Sequence, residues 1–190
     1  MDTLKRIKGM MFHPKAEWDA VARDMPGAAV LLRRFLLPLG LLAPMATIVG
    51  MLVFDTGWNP DYGYSMQRDR APAIAVGTYA FVIASVYLLA AVFYLLARTE
   101  GRTPSFLATL QVAVLGSIPL LLSGATLVIP FNVIFSMVAM LYSFYLYYLG
   151  AARLIGMRPA DATMFVGVAM ICMLLLSGFM GGIVSMFGVL

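Results

Sequence analysis

The sequence predicts an all-α polytopic membrane protein, a five-helix transmembrane bundle preceded by a short amphipathic N-terminal segment. Two observations carry most of that expectation. Hydrophobic residues make up 62% of the chain and charged residues only 12%, against roughly a quarter charged in soluble domains. The 13 Lys and Arg and the 9 Asp and Glu are also distributed so that four long stretches carry no charge: Phe35–Phe54, Ala71–Ala97, Thr103–Ala152 and Ala162–Leu190. A bilayer core of about 30 Å takes about 20 helical residues. The third stretch, as one helix, would run to roughly 75 Å, so it is divided into two spans with a turn near Ser123–Pro130. The expected spans are 35–54, 71–97, 105–126, 130–152 and 163–188, after a cytoplasmic segment 1–34.

The N-terminal segment reads as two short helices. Leu4, Ile7 and Met11 recur at helical spacing, with Lys5, Arg6 and Lys8 elsewhere on the first helix. Pro14 opens a second helix that carries Trp18, Val21 and Met25 on one side. Two placements are open. The segment lies flat on anionic lipid with its lysines toward headgroups and Ile7, Met11 and Trp18 dipping inward, or it caps the bundle and packs against the loops. His13 is the single histidine, and it stands where a helix cap would rather than among ligands. The segment is too long and too charged for a cleavable signal.

The spans contain polar and small residues with two readings each. Pro38 and Pro44 kink the first span, as hinges or simply as proline tolerated in a membrane helix. Trp58, Tyr62 and Tyr64 place the loop Asp55–Arg70 along the outer interface. Its aspartates lack the spacing of a calcium loop. Tyr79, Tyr87 and Tyr94 form a stripe on the second span that either lines a groove or packs between helices. Gln111 and Asn132 make interhelical hydrogen bonds or contact a substrate. On the last span Gly178, Gly181, Gly182 and Ser185 form a small-residue ridge along which another helix can approach closely, from this bundle or from a partner.

Aromatics and arginines mark a membrane boundary where the fourth span ends. Tyr145 and Tyr148 precede Arg153 and Arg158, and Pro159 restarts a helix. Trp18, Tyr145, Tyr148, Arg153 and Arg158 are therefore expected at the cytoplasmic interface. Eleven of the 13 basic residues fall in 1–34, Arg98–Arg102 and Arg153–Arg158, which puts the N-terminus inside and the C-terminus outside.

The helix end Tyr-Leu-Tyr-Tyr-Leu-Gly-Ala-Ala at 145–152, the short basic turn and Arg-Pro-Ala-Asp-Ala at 158–162 resemble the Yip (Ypt/Rab-interacting protein) family. Pro14, Trp18 and the stretch Gly101–Pro119 extend the likeness over most of the chain. The resemblance implies a small five-span membrane protein that binds or organises other membrane proteins. Eukaryotic members recruit small GTPases through a long cytosolic N-terminus. Here that region has only 34 residues, so the bacterial type and its inner membrane are expected and GTPase binding is not.

The remaining chemistry is sparse. Acidic and basic residues fall outside the span centres, where ion-coupled transporters and proton relays need them. No nucleophile–base pair, nucleotide loop or histidine–carboxylate cluster is present, and Cys172 is alone. No catalytic, cofactor or metal residues are expected, and no nucleic acid. Membrane lipid and another membrane protein or complex are the expected partners. An uncharged pathway for lipid or a neutral solute is the alternative function.

Overall fold

The computed structural model describes residues 2–54, 71–128 and 133–186, with side chains in the last helix described as far as Leu175. The loop carrying Trp58, Tyr62 and Tyr64, together with Asn132, lies outside the described residues. So do the side chains of the ridge Gly178, Gly181, Gly182 and Ser185. Every described element is helical. The protein is an all-α polytopic membrane bundle.

Two short helices come first, α1 (Thr3–Phe12) and α2 (Pro14–Asp24). Asp2 accepts from the backbone N–H of Leu4 at 3.1 Å and starts α1. Pro14 then occupies the first turn of α2, where its missing N–H has no helical partner to lose. His13 sits at the junction and makes no side-chain cap bond.

The first span runs over residues 28–54 as one bent helix. A helical turn at Ala28–Leu31 passes into a π-helical turn at Leu32–Leu36 and continues as Leu37–Gly40 and Leu42–Phe54. The helix begins at Ala28, so Arg33 and Arg34 lie within it rather than in the segment before it. The irregularities have a local cause. Pro38 and Pro44 cannot donate to the carbonyls one turn back, and the regular ladder is interrupted near both. The N–H of Leu41 turns to the carbonyl of Leu39 instead of Leu37. The Leu37 carbonyl accepts from the Tyr79 hydroxyl at 3.2 Å. Inside a membrane a freed carbonyl needs such a partner.

The second span is Ala71–Thr99. The third begins at the N-cap Ser105 and runs as Phe106–Gly116, Ile118–Ser123 and a 3₁₀ turn at Gly124–Val128. Its break at Ser117 precedes Pro119. There the Ser117 hydroxyl donates to the Ala113 carbonyl at 2.7 Å and lies 2.7 Å from the Tyr147 hydroxyl. The fourth span is Val133–Gly150, ending in a π turn Ala151–Ile155 that Gly156 closes at φ +73°. A helix Pro159–Met186 completes the described chain. Four of these helices are long and apolar enough to cross a membrane, and Ala160–Leu175 adds a shorter apolar helix.

The third span is the axis of the bundle. Of its most apolar stretch 78% is buried within the protein, against 22–33% for the other three. Every residue from Ala108 to Pro119 is buried. The first, second and fourth spans surround it, and the last helix packs on the second and fourth. Small residues permit these approaches. A β-carbon on Gly124 would stand 3.0 Å from Ala43 of the first span, and one on Gly116 would enter the ring of Tyr147. Phe93 of the second span joins the layers, with its ring 5.6 Å from that of Tyr147 and stacked 5.5 Å from that of Phe165.

Candidate interaction surface

The residues expected at the cytoplasmic interface lie toward the end of the bundle where Arg98, Arg102, Arg153 and Arg158 stand, the basic end. Trp18 departs from the lipid placement considered for it. Its side chain is 0% exposed and seats on Gly150, where a β-carbon would come within 2.9 Å of the indole ring and 3.1 Å of Val112. The residue at 150 is small because the ring needs that space. Trp18 thus fixes α2 against the third and fourth spans.

Polar contacts hold the same hairpin. Arg6 is not turned toward headgroups. It is 5% exposed and its guanidinium clamps Glu17 at 3.2 Å and Asp24 at 2.5 Å, tying α1 to α2. The Gln111 side-chain amide, inside the axial helix, donates to the Pro26 carbonyl at 2.9 Å. Tyr142 donates to the carbonyls of Met10 and Met11 at 3.2 and 2.8 Å. Both belong to the last turn of α1, whose carbonyls have no intrahelical partner. Asp19 pairs with Arg153 at 3.1 Å. Of the side chains expected to anchor α1, Ile7 and Met11 are half-buried, while Met10 is fully buried.

The turns at the basic end are linked to each other. Arg102 donates to the Gly156 carbonyl and lies 3.7 Å from Asp161. Arg158 donates to the same carboxylate at 2.9 Å, and that contact pushes the Arg158 pKa further up. The three tyrosines of the second span serve packing. Tyr79 caps Leu37, Tyr87 packs against the core, and Tyr94 meets Phe106 edge-on at 5.9 Å beneath Arg98.

Tyr145 and Tyr148 lie apart from Trp18, on a groove between the fourth span and the last helix. The groove has a volume of about 630 Å³, with Met140, Phe144, Val166 and Met170 among its walls. Gly167 lines it too, with no neighbour within 4 Å of where a β-carbon would stand. The five residues expected at one interface therefore divide: Trp18 and Arg153 belong to the docked hairpin, Tyr145 and Tyr148 to the groove, and Arg158 to the turns. Sequence periodicity missed Tyr142, Gly150 and Arg6. The hydroxyl partner of Tyr142 lies more than 130 positions away, and no local pattern marks it. Among the described residues no group of three His, Cys, Asp or Glu side chains is placed to hold a metal.

The Yip1 domain family matches residues 8–181, nearly the whole chain. The protein belongs to the Yip1 domain family. No curated protein and no solved structure matches it. The matched region starts inside α1 and runs into the last helix, so in this Yip1 domain protein the docked hairpin and the bundle form one family unit. The motif at 145–162 is the part of the chain that joins α2, the axial helix and the last helix.

Proposed function

We propose that this Yip1 domain protein is a non-enzymatic organiser that holds other membrane proteins in place, as a scaffold or as an accessory subunit of a larger complex. The observation that supports the reading most is the solid centre of the bundle. An axial helix buried from Ala108 to Pro119 fills the position that a conducting pathway would take, leaving the outer faces of the helices as the working surface. In this reading the chain makes five spans in a bacterial inner membrane, its basic end and N-terminus in the cytoplasm and its C-terminus outside. The contact surface is the last helix, along Gly178, Gly181, Gly182 and Ser185, where small side chains let a partner helix approach.

The test is affinity purification of the full chain in mild detergent, with Gly178 and Gly182 together substituted by Leu. Normal insertion with loss of the copurifying membrane protein is the expected result. Poor folding or degradation would place the ridge inside the protein's own bundle, and unchanged expression with the partner retained would exclude it from both roles. The second reading, a route for lipid or a neutral solute, draws on the groove between the fourth span and the last helix. Flux in reconstituted vesicles that persists without any partner would favour it over the organiser.

A further inference from the structure

We propose that one face of α1 is a docking surface for anionic lipid, made of Leu4, Lys5, Lys8 and Phe12. At 100° per residue these four fall within about 100° of the helix circumference. Arg6, Ile7 and Met10, which turn toward the protein, lie on the other side. The leucine and phenylalanine are 69% and 75% exposed, and both lysines are exposed beside them. This is the pattern of a helix lying in a membrane interface, with apolar side chains among acyl chains and basic ones at headgroups.

Charge identifies the occupant. The carboxylates of the segment are engaged by the protein itself. Asp2 caps α1, Glu17 and Asp24 hold Arg6, and Asp19 holds Arg153. Lys5, Lys8, Lys15 and Arg23 are exposed and make no ion pair among the described residues. The folded hairpin consequently presents a positive surface although its sequence mixes both signs. Position agrees with charge. Tyr142 holds the last turn of α1 eight residues inside the end of the fourth-span helix at Gly150, and α1 touches the segment Ile118–Ser123 of the axial helix. Phe12 is therefore held at a depth that the spans cover, beside the leaflet at the basic end. The occupant is the anionic phospholipid of that leaflet.

The test uses the full chain carrying Phe12→Trp and Trp58→Phe, reconstituted in phosphatidylcholine vesicles with a minor fraction of brominated lipid. Trp18, being buried, is the internal reference. Brominated phosphatidylglycerol is expected to quench the new tryptophan several-fold more than brominated phosphatidylcholine at the same fraction. Lys5→Gln, Lys8→Gln and Lys15→Gln should each lower that preference, the three together bringing it close to equal quenching, and high salt should weaken it in the unsubstituted background. These lysines are exposed, so thermal stability in detergent should stay unchanged across the series. Equal quenching by both lipids would overturn the proposal, as would a preference that survives removal of all three lysines. Emission that neither lipid quenches would overturn it too, by placing Phe12 against water or a protein.

Discussion

Trp18 and Gly150 work as a pair, one supplying a ring of large area and the other the absence of a side chain. A fully buried Trp truncated to Ala loses about 3–5 kcal/mol, and the Trp18→Ala protein should show that loss in detergent-solubilised equilibrium unfolding. Gly150→Val attacks the other member by overpacking, at about 1–3 kcal/mol or more, because its branches would enter space that the indole occupies. The two substitutions remove one contact from opposite sides, so the double variant should be less destabilised than the sum. Strict additivity would show that the ring and the glycine do not depend on each other. Arg153 and Asp19, close to this pair, are both substantially exposed. Their ion pair contributes less than about 1 kcal/mol.

At the scale of elements, the α1–α2 hairpin is held on the bundle at separate points. Arg6 closes the hairpin, Gln111 holds its exit at Pro26, and Tyr142 holds the far end of α1. Tyr142 is the most informative of these to remove, because its hydroxyl serves two carbonyls at once while its ring body contributes packing that phenylalanine would retain. Tyr142→Phe is expected to leave the spans intact and to loosen α1 locally, by about 0.6–2 kcal/mol for the lost hydrogen bonding. Limited trypsin digestion of the reconstituted protein reads this directly, since faster cleavage at Lys8 and Lys15 reports the opened population. Cleavage at the unsubstituted rate would mean that Tyr142 does not hold the helix.

For the whole molecule, orientation follows from where the basic side chains fall. Arg98, Arg102, Arg153 and Arg158 share one end of the bundle with the docked hairpin. By the positive-inside rule we propose that this end faces the cytoplasm. A reporter fused to the C-terminus should be active only when it is a type that works outside the membrane. Activity of a strictly cytoplasmic reporter at that position would overturn the proposed topology, through either its orientation or its odd number of crossings.

Composition and charge spacing determined that this protein is a helical membrane bundle, because no soluble fold can hide so much apolar surface behind so few charges. The helix-end motif at 145–162 also placed it among Yip1 domain proteins. What the sequence left open was which side of each helix faces what. Acyl chains are as apolar as leucine, so a hydrophobic stripe in a membrane protein does not distinguish a lipid-facing side from a protein-facing one. Leu4, Ile7 and Met11 looked like a single anchor for that reason. Folding separates them, turning Leu4 to the outside and leaving Ile7 and Met11 half-buried. Arg6 read as a headgroup contact because its partners, Glu17 and Asp24, become neighbours only when α1 folds back on α2. The second span is more apolar than the third, yet the third becomes the axis. Gly116 and Gly124 admit the fourth and first spans closely there, and that depends on helices far apart in the chain meeting in space.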